Sequence, residues 1–181
     1  FVRAVSEPWL IAFTTASSEA ALPRALENMV RLGVPRRIVS FVLPTGYAFN
    51  MDGTTLYLAL ASVFVAQAAG IDMPLSRQLL MMFTLMITSK GLAAVPRASL
   101  VILSGTLAQF GLPLQGVAVI LGVDAVMDMA RTSLNVVGNC LASVVMARWD
   151  GSFPRSSADT PVAEAFVGTH VDRSPDIVRR V

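Results

Sequence analysis

The 181-residue sequence has few charged side chains, one cysteine and one histidine. Asp, Glu, Lys and Arg make up 14% of it, against about 25% in a typical soluble protein. Only eight of these residues lie between positions 38 and 147, too few for the surface of an ordinary soluble domain. The single cysteine, Cys140, excludes a disulfide framework. The basic residues behind the net charge of +2 are scattered, so we expect no nucleic-acid partner.

Sequence motifs of catalysis are missing as well. The chain contains no HExxH pattern, no Ser/His/Asp set and no run of metal-ligating residues. Its only histidine, His170, lies in a polar C-terminal segment, where it is expected to be solvated. We therefore predict that the protein is not an enzyme and holds no cofactor.

Long apolar runs take the place of the missing charge. Residues 38–71 and 116–149 each exceed the length of about 20 residues that crosses a bilayer. The runs at 9–18 and 78–89 are too short to span, and both lead into turns rich in Ser, Gly or Pro. Short, interrupted segments of this kind predict re-entrant helical hairpins. The two hairpins are expected at about 7–32 and 76–111.

The apolar run at 38–71 is broken near its middle by Asn50–Thr54, the sequence NMDGT. Asn, Asp and Gly favour turn backbone over helix, so this run predicts one broken transmembrane helix at about 37–70. The two half-helices are expected at about 37–48 and 54–70.

A polar stripe runs along the last predicted helix, at about 114–149. With 100° per residue, six polar residues fall on one side of that helix. They are Asp124, Asp128, Arg131, Thr132, Asn135 and Asn139. Charges inside a membrane span are costly, so the stripe is not expected to face lipid.

Two interpretations of the stripe remain open. In the first, Arg131 forms an internal salt bridge with Asp124 or Asp128 that holds the helices together. In the second, the stripe binds a small zwitterion or anion, with Arg131 on a carboxylate and Asp128 on an ammonium group. Helix N-termini at the hairpin tips would suit a second carboxylate, and backbone carbonyls at the break would suit a monovalent cation.

The chain resembles the dicarboxylate/amino acid:cation symporters, the glutamate transporter family, in four motifs that follow one another along the sequence. They are Ser17–Pro23 (SSEAALP), Asn50–Thr54 (NMDGT), Ser89–Pro96 (SKGLAAVP) and DxxxDxxRTxxNVxGN from Asp124 to Asn139. The resemblance covers residues 1–149 and implies an all-α integral membrane fold. Its parts are the two re-entrant hairpins, the broken transmembrane helix and the polar last helix, which together form the C-terminal part of a transport domain.

The resemblance also implies features of the whole protein. The expected protein is a multi-pass homotrimer in lipid of the bacterial plasma (inner) membrane. It would move its substrate by an elevator mechanism with co-transported H⁺ and/or Na⁺. Because Phe1 is no initiator residue, we expect earlier helices upstream, and we expect residues 150–181 to be a disordered cytoplasmic tail.

Residue roles follow from the resemblance position by position. Arg131 would bind the side-chain carboxylate of the substrate, Asp128 its ammonium group, and the backbone of the two tips would close over it. The full set of expected substrate-binding residues is Ser18, Thr54, Val95, Asp128, Arg131, Thr132 and Asn135. The expected cation-binding residues are Asn50, Asp52, Ser89, Lys90, Leu92, Asn135 and Asn139, with Na⁺ as the candidate metal ion.

The same residues indicate the substrate. Arg131 favours an acidic substrate over a neutral one, and Asp128 favours glutamate or aspartate over a C4-dicarboxylate, which has no ammonium group. A C4-dicarboxylate symporter is the alternative, and a channel-like membrane fragment is a further one. Asn139 stands where sodium-coupled members of the family carry an acid, which favours proton coupling. Glu19 in the first tip is either a helix-start acid or a protonatable group near the substrate.

Overall fold

The computed structural model describes residues 1–89 and 98–153, and every regular element in this part of the chain is an α-helix. The all-α expectation is therefore confirmed. The helices are α1 Val2–Thr15, α2 Ser18–Arg31, α3 Arg36–Phe49, α4 Asp52–Ala68, α5 Leu75–Thr88, α6 Ala98–Gln109, α7 Gln115–Leu121 and α8 Asp124–Trp149.

Helices α1 and α2 form a helical hairpin with a two-residue tip. Ala16 takes up a left-handed backbone conformation with φ of 49°, which ends α1. Ser17 is extended, and its hydroxyl accepts the backbone N–H of Ala20 at 3.3 Å, which is an N-cap for α2. Glu19 lies exposed in the first turn of α2, where the helix dipole favours an acid. Local chemistry thus explains the tight reversal of the chain.

Two apolar clusters form the interior. One joins α1, α2, α3 and α8, and its largest fully buried members include Met29, Leu43 and Val136. The other joins α4, α5, α6 and α7, and it includes Leu58, Met81 and Leu103. Helix α8 packs against α4 as well as against the first cluster. The strip between α4 and α8 is therefore where the two halves of the molecule meet.

The break between α3 and α4 is shorter than the sequence predicts. Only Asn50 and Met51 leave the helical path, and Asp52–Thr54 form the first turn of α4. Asp52 is favoured there because its carboxylate faces the positive end of the helix dipole. The backbone N–H groups of Gly53 and Thr54 donate to the Asn135 side chain of α8.

The predicted last helix is two helices in the structure. Helix α7 ends at Leu121, and Gly122 and Val123 separate it from α8. Glycine is a poor residue for a helix interior because it loses much backbone freedom on folding, which accounts for an interruption at this point.

The segment after α8 begins with an ordered turn. Gly151 has a φ of +71°, and the N–H groups of Gly151, Ser152 and Phe153 bond back to the last turn of α8. Residues 150–153, which were expected to belong to a disordered tail, are therefore ordered. The rest of the tail and residues 90–97 of the second tip lie outside the described residues.

In the part of the chain that the structure describes, one stretch is long and apolar enough to cross a membrane. It is Arg36–Ala68, 33 residues with a mean hydropathy of 1.2, and it consists of α3, the break and α4. Leu75–Thr88 and Ser99–Gln109 are shorter apolar helices. Many large apolar side chains lie exposed on these elements, among them Phe41, Phe64, Leu80 and Val101.

Candidate functional site

Polar side chains of α8 line the strip where α8 meets α4. Five of the six residues in the predicted stripe are buried, and the exposed fractions of Asp124, Arg131 and Asn139 are 2%, 5% and 1%. Asp128 is the exception, because its side chain is 32% exposed. Groups of this polarity are buried at little cost only when each has a bonding partner.

The first part of the stripe is a three-residue ion-pair group within α8, which we call the charged segment: Asp124, Asp128 and Arg131. Nε of Arg131 donates to Oδ1 of Asp128 at 2.9 Å, and Nη1 donates to Oδ1 of Asp124 at 3.4 Å. Thr132 donates its hydroxyl to the same Asp128 oxygen at 3.4 Å. The salt bridge of the first interpretation is present, and it includes both acids.

Tyr57 of α4 completes the charged segment, and it is not among the site residues predicted from the sequence. Its hydroxyl donates to Oδ1 of Asp124 at 2.9 Å, and its ring lies under the Arg131 guanidinium, with Cζ 4.7 Å from the ring centroid. Tyr57 lies three residues after Thr54, so the two share one face of α4. That spacing is the signal that could have identified it.

The second part of the stripe, Asn135 and Asn139, is the amide segment. Oδ1 of Asn135 accepts the backbone N–H groups of Gly53 at 2.8 Å and Thr54 at 3.3 Å, and Nδ2 donates to the Thr54 hydroxyl at 3.1 Å. Because the first N–H groups of a helix have no acceptor within the helix, Asn135 serves as the cap of α4.

Asn139 makes a reciprocal contact with the break. Its Oδ1 accepts Nδ2 of Asn50 at 3.1 Å, and its own Nδ2 donates to the Asn50 carbonyl at 3.4 Å. Three glycines allow the backbones to approach this closely. A Cβ at Gly46 would overlap Oδ1 of Asn139, one at Gly53 the carbonyl oxygen of Arg131, and one at Gly138 the Asp52 carboxylate.

Helix α5 reaches the site through a pair of hydroxyl groups. Ser89, which is fully buried, lies 3.1 Å from the Thr55 hydroxyl, and Thr55 donates to the Met51 carbonyl at 3.0 Å. The end of α5 therefore touches the start of α4. Asp52 is exposed beside Gly138.

The remaining predicted site residues lie elsewhere or outside the described part. Ser18 is the first residue of α2, so its N–H is among those at the start of a helix. Lys90, Leu92 and Val95 lie outside the described residues. Within residues 1–89 and 98–153, no group of three or more His, Cys, Asp or Glu side chains could hold a metal ion.

Comparison with known proteins gives a family match along most of the chain. The profile of the Sodium:dicarboxylate symporter family matches residues 1–149. The chain is 47% identical over 163 residues to a proton/sodium-glutamate symport protein of Geobacillus stearothermophilus, a match that covers 90% of this chain and 39% of that protein.

Two further relatives carry different substrate names. The chain is 50% identical over 157 residues to a proton/glutamate-aspartate symporter of Escherichia coli K12, which covers 87% of this chain and 36% of that protein. It is 44% identical over 163 residues to a C4-dicarboxylate transport protein of Pseudomonas savastanoi, with 90% of this chain and 35% of that protein covered. The chain thus spans less than half of the length of these relatives.

Proposed function

Because the chain belongs to the Sodium:dicarboxylate symporter family, we propose that the whole protein is a secondary active symporter of glutamate and aspartate. It couples uptake to H⁺ and/or Na⁺ and works as a homotrimer with elevator-type alternating access. It resides in the lipid of the bacterial inner membrane, with the hairpins re-entrant and the tail after α8 on the cytoplasmic side. The proposal is supported by relatives at 47% and 50% identity that are named for glutamate or aspartate.

The observation that carries the proposal is the pairing of Arg131 with a half-exposed acid. Among the described residues, Asp124 and Asp128 engage two of the five guanidinium N–H groups of Arg131. The remaining N–H groups of this buried guanidinium are donors that would bind a substrate carboxylate. Asp128, whose side chain is 32% exposed, then releases Arg131 and binds the substrate ammonium group. Asp124 is almost fully buried and stays with Arg131.

The central experiment replaces Arg131 by alanine in the full-length protein, reconstituted in liposomes. We expect saturable glutamate uptake to be lost from the trimers that are recovered and reconstituted, and the unpaired Asp124 to lower the stability of the variant. Arg77→Ala is the matched control, because Arg77 bonds to the Phe110 carbonyl and lies outside the stripe. Glutamate uptake that survives Arg131→Ala would contradict the proposed symporter function. Ion flux without saturable exchange would favour the channel-like alternative.

A C4-dicarboxylate substrate is the second candidate, because a relative at 44% identity is named a C4-dicarboxylate transport protein. Competition between glutamate and succinate in the same liposomes separates the two. If Asp128 binds the ammonium group, Asp128→Asn should weaken glutamate competition by about 30-fold or more, since the ammonium group of the bound substrate loses its carboxylate partner. Succinate, without an ammonium group, should be affected far less. Stronger competition by succinate than by glutamate would favour the C4-dicarboxylate as the substrate.

The coupling ion needs its own measurement. Oxygen ligands and negative charge are what a hard cation requires, and Asn139 supplies only a neutral amide. We therefore expect uptake driven by an imposed pH gradient in sodium-free buffer. Absence of uptake in sodium-free buffer, together with uptake on adding sodium, would overturn proton coupling.

A further inference from the structure

One end of the molecule is rich in arginine. Four helix ends meet there: the starts of α1 and α3 and the ends of α2 and α8. The Asn28 side chain donates to the Ala4 carbonyl at 3.0 Å, which ties the start of α1 to α2. Arg37 forms an ion pair with Asp150, which ties the start of α3 to the end of α8. The arginines of this basic end are Arg3, Arg24, Arg31, Arg36, Arg37 and Arg148.

Two of the six arginines are neutralised by acids nearby. Arg24 bonds to Glu7 at 3.3 Å and to Glu27 at 3.0 Å. Arg37 is paired with Asp150, whose pKa is lowered by a hydrogen bond from Ser152 and by the Arg37 charge, so this acid is ionised at neutral pH.

The other four arginines are exposed and uncompensated: Arg3, Arg31, Arg36 and Arg148. Within residues 1–89 and 98–153, no carboxylate lies within 4.0 Å of any of them. Their helices explain only part of this charge. Arg31 and Arg148 lie in last turns, where the helix dipole favours a cation. Arg3 and Arg36 lie in first turns, where the dipole disfavours a cation, so an anion bound from outside the helices would stabilise them.

The basic end adjoins an exposed apolar surface. Trp149, the last residue of α8, is 81% exposed, and Phe41, just over a turn along α3 from Arg36, is 69% exposed. Val2 and Leu10 of α1 are exposed as well. Tryptophan beside arginine, next to exposed apolar side chains, is the pattern of a segment that lies at the headgroup level of a bilayer. Around the loop from α4 to α5, by contrast, the charged residues are only Asp72 and Arg77.

We propose that the basic end binds the anionic headgroups of membrane phospholipids through Arg3, Arg31, Arg36 and Arg148. The acyl chains would pack on the apolar side chains next to it. The guanidinium group suits this ligand because it donates in a planar fork to phosphate oxygens. This inference requires only that the chain is part of a membrane protein, and it stands apart from the choice of substrate and coupling ion.

The tail after α8 is the competing occupant of this surface. Residues 154–181 contain four arginines and four acids, so the tail brings no net negative charge that would match the basic end. A lipid headgroup layer is the better complement. It supplies many phosphates, and each basic residue near an anionic membrane surface strengthens binding by about fivefold.

The experiment uses the delipidated full-length protein in detergent, titrated with phosphatidylglycerol or phosphatidylcholine and read by native mass spectrometry. The wild type should retain phosphatidylglycerol in clear excess over phosphatidylcholine. Arg31→Gln combined with Arg36→Gln should reduce that preference by about 25-fold, at fivefold per arginine. Arg31→Lys with Arg36→Lys should keep most of it, because the charge remains.

Four controls make the result decisive. Arg77→Gln should leave the preference unchanged, and equal elution volume and unfolding temperature in detergent show that each variant is folded. Truncation after Phe153 should also leave it unchanged. An increase on truncation would show that the tail occupies the surface, and equal retention of the two lipids by the wild type would overturn the proposal. Inorganic phosphate at millimolar concentration should not displace the lipid.

Discussion

The charged segment and the amide segment of α8 lie next to each other on one helix face, yet they find their partners in different ways. Arg131 is paired with acids of its own helix, and within residues 1–89 and 98–153 Tyr57 is the one residue that joins from another helix. Among the described residues, Asn135 bonds to the first turn of α4 and Asn139 bonds to Asn50 in the break. One segment is satisfied largely within α8, whereas the other links two elements.

This difference indicates that the two segments have different roles. Ion pairs within one helix can exchange partners without moving the backbone, so Asp128 can leave Arg131 for a substrate group. The amide contacts cannot be exchanged so easily, because they cap α4 and hold the break in shape. In our proposal the charged segment is therefore the part that responds to substrate, and the amide segment is the part that positions it.

The largest expected effect comes from removing the shared cation. Arg131→Met leaves the buried Asp124 without its counter-ion, which typically costs about 3–5 kcal/mol. Combining it with Asp124→Asn removes the uncompensated charge and should restore most of the stability. Thermal unfolding of the full-length protein in detergent measures both variants. A double variant as unstable as the single one would show that packing, and not charge, dominates the segment.

The amide segment should be less costly to break. Asn135→Ala leaves the N–H groups of Gly53 and Thr54 without their acceptor, and we expect a loss of about 2 kcal/mol. Ser143→Ala is the matched control on the same helix. Ser143 is fully buried but, among the described residues, bonds only to the Cys140 carbonyl within α8, so its loss should cost under about 0.5 kcal/mol. Equal losses in the two variants would contradict the capping role of Asn135.

Much of this arrangement could be predicted from the sequence because helical periodicity is local. Rotation by 100° per residue places Asp124, Arg131 and Asn135 on one face without knowledge of any other helix. The turn preference of Asn50 likewise predicts a break. The all-α fold and the family are confirmed, whereas the substrate and cation roles of individual residues stay predictions.

Contacts between helices could not be predicted in the same way. Nothing local says that the Tyr57 hydroxyl meets Asp124, or that Ser89 meets Thr55, because both pairs depend on how α4 packs. The break was predicted too long for a related reason. Asp52–Thr54 are helical because Asn135, far along the chain, accepts the N–H groups of Gly53 and Thr54.

A smaller effect should follow from removing one hydroxyl in the charged segment. Tyr57→Phe deletes the bond to Asp124 but keeps the ring under Arg131, and we expect a loss of about 1.5 kcal/mol in unfolding free energy. Tyr47→Phe is the control in α3. The buried Tyr47 hydroxyl has no bonding partner among the described residues, so its removal should be neutral or stabilising. A larger loss of unfolding free energy in Tyr47→Phe than in Tyr57→Phe would contradict this prediction.

The smallest expected effect is the stabilisation by sodium of a variant in the amide segment. Asn139→Asp replaces the Nδ2 donor to the Asn50 carbonyl by an oxygen, so two acceptors face each other where a donor and an acceptor met. A bound cation can satisfy both oxygens, and sodium at ten times its Kd would stabilise the variant by about 1.4 kcal/mol.

The measurement is a sodium titration of the unfolding temperature, with potassium or choline at equal ionic strength as the control. The wild type should respond to none of the three through this position, because its amide pair is already satisfied. An equal sodium response in wild type and variant would mean that the Asn50–Asn139 contact opens to admit a cation. The hydrogen bonds of the amide segment could then exchange partners, as the ion pairs of the charged segment can.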